Sequence, residues 1–197
     1  MLENGAVQRQ RADLAAILYE KSYLEGEFTL SSGRKSDYYF DCRQTSLYPP
    51  GARLIGSLFL HMLEGLEVQA LAGMTLGADP LLTAVSLAAL DAGRILPALI
   101  VRKQAKSHGA ALLVEGLKNV RPGDRVVMLE DVVSTGASVL QAAERIEQAG
   151  LEVAAVLCIL NREEPGCAEA FAAARRELKS LFTRGELTRL ARPAKAF

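Results

Sequence analysis

Five short apolar runs, separated by longer amphipathic segments, organise the chain from residue 66 onwards. The runs cover residues 68–72, 98–102, 125–129, 153–160 and 178–182. The segments at 80–92, 137–149 and 165–175 are predicted helices. Alternation of strands and helices is typical of a parallel sheet covered by helices, so the sequence predicts an open α/β sheet. Ligands of such sheets bind beyond the carboxyl ends of the strands, and functional residues are therefore expected in the loops that follow them.

The first 65 residues lack this alternation of apolar runs and amphipathic segments, and they are interpreted as a small N-terminal hood on a core formed by residues 66–197. Apolar residues recur at helical spacing within residues 7–20, which predicts a helix there. Residues 28–42 are polar and aromatic with strand-like pieces. Pro49 and Pro50 favour a helix across residues 52–63. Half of the 197 residues are hydrophobic, so hood and core are expected to form one structural unit with a sizeable interior.

Charge and cysteine content narrow the classes of function. The chain has 23 basic and 23 acidic residues, so no global field attracts nucleic acid or an anionic membrane, and any anion site must be local. Cys42, Cys158 and Cys167 match neither a zinc site nor a disulfide framework, which favours reduced thiols. The first ten residues lack the apolar stretch of a signal peptide, and the most apolar run, residues 81–90, is too short to span a bilayer. A cytoplasmic protein is therefore expected.

The most informative loop follows the third apolar run, where residues 126–129 lead into the acidic pair Glu130 and Asp131. Two valines and five small residues at the next predicted helix start follow: Val132, Val133, Ser134, Thr135, Gly136, Ala137 and Ser138. A helix start presents N–H donors where the helix dipole favours a phosphate. Two carboxylates beside it can accept hydrogen bonds from sugar hydroxyls. The segment therefore predicts a ribose 5-phosphate site; the alternative is an N-capped helix after an acidic strand end.

A basic segment, residues 102–109, follows the second apolar run. Its order RKxxKxHG places Arg102, Lys103, Lys106 and His108 within seven residues. The cations repel one another unless an anion binds among them. The pattern favours a lid over a diphosphate, whereas the alternative for a run of charges is a solvated surface loop.

Two further loops carry candidate ligand-binding residues. In residues 73–80, two glycines permit the backbone to approach an anion closely, Thr75 adds a hydroxyl, and Pro80 suits the first turn of a helix. Arg162 follows the fourth apolar run, where its guanidinium could pair with a carboxylate through two parallel hydrogen bonds. The alternative for a lone arginine after a strand is a surface position.

Residues 126–138 resemble the phosphoribosyl pyrophosphate (PRPP) signature of the type I phosphoribosyltransferases. The resemblance implies the fold of that family, an open, mostly parallel sheet flanked by helices with a small N-terminal hood. It also implies that Glu130 and Asp131 bind the ribose hydroxyls and that the loop from Ser134 to Ser138 binds the 5-phosphate. The signature is specific for the superfamily and does not name the base.

Two of the loops have counterparts in the orotate phosphoribosyltransferases, and the basic segment is a much narrower match than the PRPP signature. The basic segment is similar to their mobile catalytic loop, which implies that Lys106, helped by Arg102, Lys103 and His108, neutralises the leaving diphosphate. Residues 73–80 occupy the position of their diphosphate-binding loop. Leu76 stands where some relatives have a lysine or another donor, so Thr75 and backbone amides carry more of the binding.

Residues 28–39 resemble the orotate segment of the same family, FxLxSGxxSxxY. The resemblance implies that Tyr38 and Tyr39 hold the pyrimidine ring, although an aromatic pair in a strand is otherwise typical of a core. Ser31 stands where many members have a lysine, and either Arg34 or Lys35 substitutes for it. The family also places an orotate-binding arginine at Arg162 and a base-contacting hydroxyl at Ser134.

These segments occur in the order of the family over nearly the whole chain. They imply transfer of a phosphoribosyl group from PRPP to orotate with Mg²⁺ held by substrate and water, in a homodimer whose active sites are shared. Three alternatives are a transferase for hypoxanthine or uracil, a PRPP-sensing regulator, and a dinucleotide-binding oxidoreductase. The RKxxKxHG order disfavours a transferase for hypoxanthine or uracil. The neutral net charge disfavours a PRPP-sensing regulator, which would need a surface for nucleic acid. The lack of a GxGxxG turn disfavours a dinucleotide-binding oxidoreductase. No segment is left for a decarboxylase.

Overall fold

The computed structural model describes residues 4–29, 35–104 and 113–191. Ser31, Arg34, Lys106 and His108 lie outside the described residues. The helices are α1 Asn4–Ser22, α2 Arg43–Ser46, α3 Pro49–Met62, α4 Asp79–Asp91, α5 Ala137–Gln148, α6 Cys167–Ala173 and α7 Arg184–Ala191, with a 3-10 turn at Leu117–Asn119. The strands are β1 Tyr23–Thr29, β2 Lys35–Phe40, β3 Ala70–Met74, β4 Ala98–Val101, β5 Val114–Glu115, β6 Arg125–Val133, β7 Glu152–Asn161 and β8 Leu178–Thr183. Across these ranges, no helix combines the length and apolar character needed to cross a bilayer.

Six strands form the central sheet in the order β5-β4-β3-β6-β7-β8. All neighbouring pairs are parallel except β4 and β5, which are antiparallel. Separate hydrophobic clusters pack on the two faces of the sheet, and β3 is buried along its whole length, as expected for parallel strands covered on both sides. The predicted open, mostly parallel α/β sheet is confirmed, and each of the five apolar runs overlaps a strand.

The acidic pair lies inside β6 rather than after it. The outer half of β6 pairs with β7, Val132 with Leu160 and Val133 with Asn161. The predicted end of this strand at residue 129 is therefore wrong, because the hydrogen-bonded ladder and not the apolar side chains determines where the strand stops.

The hood consists of α1, the antiparallel hairpin β1–β2, α2 and α3. α1 packs on α3 and α7. One hydrophobic cluster joins Leu14 and Phe40 of the hood to Val127 and Leu157 of the central sheet. The hairpin thereby stands beside the carboxyl ends of the sheet strands, where a ligand is expected.

Three elements, β5, α2 and α7, were not predicted. β5 has two residues and α2 has four, too few for a periodic pattern. α7 does carry a start signal: the N–H of Thr183 donates to Oε2 of Glu186 at 2.9 Å, and the N–H of Glu186 donates to Oγ1 of Thr183 at 3.4 Å. This reciprocal T-x-x-E capping box is visible in the sequence and could have predicted the helix.

Candidate active site

A cleft of about 920 Å³ opens between the hairpin β1–β2 and the carboxyl ends of β3, β4, β6 and β7. Its volume lies in the range of small-molecule sites. The hood contributes Leu24, Phe28, Thr29, Tyr39, Phe40, Asp41 and Arg43 to its walls. The loops after the sheet strands, together with β6, contribute Met74, Thr75, Leu76, Gly77, Lys103, Glu130, Asp131, Val132, Ser134, Ser138 and Arg162. Residues from all five candidate segments therefore meet at one site.

Glu130 and Asp131 form the acidic floor of the cleft. Glu130 is only 9% exposed, and its Oε1 accepts a hydrogen bond from the N–H of Asp131 at 3.2 Å. Oδ1 of Asp131 accepts a hydrogen bond from the N–H of Val132 at 2.7 Å. Burial, and then the neighbouring charge of Asp131, raise the pKa of Glu130 well above the usual carboxyl range. The pair therefore favours ligands that offer hydroxyl donors or a cation to the carboxylates.

Gly77 lets the loop after β3 lie directly against this pair. A Cβ atom at this position would lie 2.8 Å from Oδ1 of Asp131, which is closer than carbon and oxygen pack. Oγ1 of Thr75 donates to Oδ2 of Asp79 at 2.8 Å, and the Thr75–Leu76 peptide is cis. The side chain of Leu76 is exposed at the rim. The predicted diphosphate loop and the acidic pair thus share one wall of the cleft.

α5 begins immediately beyond β6, at the predicted phosphate loop. Gly136 has a left-handed conformation at the helix start (φ 84°), and a Cβ there would collide with the ring of Phe171. Ser134 and Ser138 line the cleft. The other members of the predicted loop are buried or face solvent outside the described lining: Val133, Thr135 and Ala137. The N-terminus of α5 thus lies beside the acidic pair, where its dipole favours an anion.

Only part of the basic segment is described. Lys103 lines the cleft, whereas Arg102 pairs through Nη1 with Oε1 of Glu115 at 3.3 Å. The N–H of Arg102 donates to the carbonyl of Leu113 at 2.8 Å, and Nη1 of Arg145 donates to the carbonyl of Arg102 at 2.6 Å. These bonds anchor the described start of the segment to β5 and α5. Lys106 and His108 lie outside the described residues.

The paired tyrosines face opposite sides of β2. Tyr39 lines the cleft with Phe28, their ring centroids 5.5 Å apart, whereas Tyr38 is 4% exposed and belongs to the hydrophobic core. Of the two tyrosines predicted to hold a ligand, only Tyr39 therefore lies on the cleft, because the ring of Tyr38 is enclosed in the core beside Tyr23 and Phe40. Lys35 is exposed at the start of β2 and is absent from the described lining of the cleft.

Arg162 enters the cleft from the end of β7. Its side chain is only 5% exposed, with Nε 3.7 Å from Oε1 of Glu164. The guanidinium lies over the ring of Tyr38, with Cζ 4.8 Å from the ring centroid. The backbone N–H of Arg162 donates to the carbonyl of Val133 at 2.9 Å. A largely buried guanidinium at the wall of a cleft is suited to bind a carboxylate.

Asp41 and Arg43 line the cleft but were missed by the sequence analysis. Oδ1 of Asp41 accepts a hydrogen bond from Nε of Arg43 at 2.7 Å, and Oδ2 accepts one from Nε2 of Gln44 at 3.2 Å. Burial opposes ionisation of Asp41, but these hydrogen bonds and the charge of Arg43 outweigh it and lower the pKa of Asp41. The available signal was the pattern D-x-R directly after an aromatic strand.

Carboxylates and cations are balanced in the described lining: Asp41, Glu130 and Asp131 against Arg43, Lys103 and Arg162. Within the part of the chain that the structure describes, no group of three or more His, Cys, Asp and Glu side chains is placed to hold a metal ion. The acidic pair nevertheless offers hard oxygen donors, the ligand type that Mg²⁺ prefers. A Mg²⁺ ion here would keep most of its coordination sphere for ligand oxygens and water.

No family model matches the chain. It is, however, 48% identical over 177 residues to the orotate phosphoribosyltransferase of Thermosynechococcus vestitus, covering 90% of this chain and 92% of the relative. It is 42% identical over 177 residues to the orotate phosphoribosyltransferase of Nostoc sp., and the match covers 90% of this chain and 84% of the relative. Among solved structures it is similar to Mycobacterium tuberculosis orotate phosphoribosyltransferase in complex with PRPP, with a TM-score of 0.75, 33% identity, and coverage of 91% of this chain and 99% of that chain.

Proposed function

The chain belongs to the orotate phosphoribosyltransferase family, and on this premise we propose that it transfers the ribose 5-phosphate group of PRPP to orotate. The products are orotidine 5′-phosphate and diphosphate, and the reversible reaction is a step of de novo pyrimidine biosynthesis. The observation that carries the proposal is the convergence of the acidic pair, the start of α5 and Arg162 on one cleft. These groups match the three parts of the substrates: ribose, phosphate and a carboxylated base.

We assign the inner part of the cleft to PRPP. The carboxylates of Glu130 and Asp131 accept hydrogen bonds from the ribose hydroxyls. The loop from Ser134 to Ser138 binds the 5-phosphate at the start of α5, where Ser134 and Ser138 already face the cleft. The loop that contains Thr75 and Leu76 takes the diphosphate. Gly77 supports this assignment, because its backbone lies against Asp131.

The transfer needs no protein nucleophile. The bond from ribose C1 to diphosphate breaks as the ring nitrogen of orotate attacks, so positive charge develops on the ribose and negative charge on the leaving diphosphate. The protein contributes position and charge stabilisation. Lys106, helped by Arg102, Lys103 and His108, neutralises the diphosphate, and Lys103 already lies on the cleft wall. Closure of that segment excludes water, which would otherwise hydrolyse PRPP.

The outer part of the cleft is assigned to orotate. Tyr39 supplies an aromatic face, Ser134 supplies a hydroxyl, and either Arg34 or Lys35 supplies a cation. Arg162 binds the carboxylate that distinguishes orotate from uracil. With uracil the buried guanidinium would lose this partner, which disfavours the wrong base.

Three further proposals concern the metal ion, the oligomeric state and the cellular location. Mg²⁺, held mainly by substrate and water, would supply charge neutralisation for the leaving diphosphate. The active form is a homodimer with shared sites, as the resemblance of the basic segment to the family's catalytic loop implies. The location is cytoplasmic, which fits three free, buried cysteines.

A spectrophotometric assay tests the proposed activity. Orotate absorbance should fall only when enzyme, PRPP and Mg²⁺ are all present, and uracil or hypoxanthine should not replace orotate. The matched control is Asp131→Asn, which we expect to lose most of the rate. Turnover of hypoxanthine or uracil at the rate of orotate, or no turnover at all, would contradict the proposal.

A further inference from the structure

Tyr38 lies behind the cleft rather than in it. Its ring packs against Phe40 and Tyr23, with centroid separations of 6.0 Å and 6.1 Å. With 4% of its surface exposed, it has no room to stack on a substrate. The role that the family resemblance suggested for this ring therefore falls to Tyr39, and the position of Tyr38 requires another explanation.

The ring of Tyr38 supports the guanidinium of Arg162. Cζ of Arg162 lies 4.8 Å from the ring centroid, within the range of a cation–π interaction. Glu164 approaches Nε of the same guanidinium at 3.7 Å, so a carboxylate accompanies the buried cation. The guanidinium is held by the ring and the carboxylate while it still lines the cleft.

A second cation holds the ring of Tyr38. Arg184, the first residue of α7, places Cζ 4.2 Å from the same centroid. α7 packs on α1, so the ring connects the hairpin, the end of β7 and the C-terminal helix. A ring packed among these elements has little freedom to tilt, because protein interiors are close-packed. It therefore fixes the plane of a guanidinium that stacks on it.

We propose that Tyr38 is a positioning residue for Arg162 and does not contact orotate itself. This inference rests on the proposed function. Carboxylate recognition by arginine uses two parallel hydrogen bonds in one plane, and a tilted guanidinium loses one of them. Tyr38 thus contributes to orotate affinity and to selection against uracil, and it leaves PRPP binding unaffected.

The test replaces Tyr38 with phenylalanine and then with phenylalanines that carry one, two and three ring fluorines. Fluorine withdraws electron density from the ring face and weakens cation–π attraction with little change in shape. We expect KM for orotate to rise with each fluorine, to about tenfold above the phenylalanine variant. We expect kcat and KM for PRPP to stay within about twofold, since an interaction equal in ground and transition states changes KM alone. A KM for orotate that is flat across the series would overturn the proposal.

Two comparisons separate this role from a structural one. Tyr19→Leu removes a ring that stacks on Tyr23 with centroids 4.8 Å apart and is separated from Arg162 by the rings of Tyr23 and Tyr38. Tyr38→Leu removes the ring on which the guanidinium of Arg162 stacks. Both should lower the melting temperature, but only Tyr38→Leu should raise KM for orotate; an equal rise in both would overturn the positioning role. If the wild type consumes no orotate, the proposed function itself is contradicted. If the wild type is active but KM for orotate does not change across the fluorinated variants, only the role of Tyr38 is contradicted.

Discussion

Glu130 has an environment that opposes the charged form of its own side chain. It is largely buried, and Asp131 follows it in the strand. Its raised pKa means that the folded chain binds a proton at Glu130 more tightly than the unfolded chain does. Its contribution to stability is therefore complete below the ordinary carboxyl pKa and is lost as pH rises through the raised value. At higher pH the ligand-free cleft carries an electrostatic cost that a bound sugar or cation reduces.

Replacing Glu130 by glutamine should stabilise the ligand-free protein and weaken PRPP binding. The glutamine side chain has the same size and its oxygen can still accept from the N–H of Asp131, but it has no charge to desolvate. We expect a higher melting temperature at neutral and alkaline pH, by about 2–4 °C for each kcal/mol gained. Thermal melts from about pH 3 to about pH 9, on either side of the ordinary carboxyl range, measure this, and calorimetric titration with PRPP measures the loss of affinity.

The pH dependence provides the internal control for Glu130→Gln. Below the ordinary carboxyl pKa both side chains are neutral in both the folded and the unfolded state, so the two melting temperatures should converge. A constant difference across the whole range, or a variant that melts below wild type at alkaline pH, would refute the electrostatic cost at Glu130.

Arg162→Lys tests whether geometry or charge selects the base. Lysine keeps the positive charge but lacks the planar fork that matches a carboxylate. We expect KM for orotate to rise about tenfold or more, with a smaller preference for orotate over uracil. Steady-state kinetics with both bases measure the ratio. An unchanged ratio in this variant and in Arg162→Gln would remove Arg162 from carboxylate recognition.

At the scale of elements, the sheet was predictable and the ends of its strands were not. Buried parallel strands show as continuous apolar runs, and this local signal located β4, β6, β7 and β8 closely. β6 nevertheless runs four residues past its apolar run, because β7 continues beside it. Hydrogen bonds between strands distant in sequence set that boundary, and no local pattern records them.

The hairpin shows the same limit for the candidate site. The motif of residues 28–39 was recognisable, but it could not tell which of Tyr38 and Tyr39 faces the cleft, since that depends on how β2 packs against Arg162 and Arg184. Asp41 and Arg43 were missed because a charged pair after a strand also suits a solvated turn. Their place on the cleft wall follows from the hairpin folding over the sheet.

Gly77→Ala tests the close approach between the loop after β3 and β6. The added methyl group would lie 2.8 Å from Oδ1 of Asp131, so the loop or the carboxylate must move. We expect PRPP affinity to fall about tenfold or more while affinity for orotate changes less. Gly185→Ala is the matched control, because a Cβ there meets nothing within 4 Å and its φ is unexceptional. Isothermal titration of both variants with PRPP measures the two affinities. Equal PRPP affinity for Gly77→Ala and Gly185→Ala would contradict a role of the Gly77–Asp131 contact in PRPP binding.

At the scale of the whole molecule, the proposed dimer allows the acidic pair and the basic segment of one active site to be mutated in different subunits. The acidic pair belongs to the sheet of one subunit, whereas the family resemblance implies that the basic segment reaches the site of its neighbour. Twofold symmetry then gives two equivalent composite sites.

Mixing Lys106→Ala and Asp131→Ala subunits should therefore restore activity that neither variant has alone. With random exchange about half of the dimers are hybrids, and each hybrid contains one site with both residues intact. About a quarter of the wild-type rate should return, because one of the two hybrid sites carries both defects. Differently tagged subunits, with the hybrid isolated by two affinity steps, allow the rate per hybrid dimer to be measured and exchange to be verified. An isolated hybrid as inactive as its parents would show that Lys106 serves its own subunit, since in that arrangement every site lacks one of the two residues.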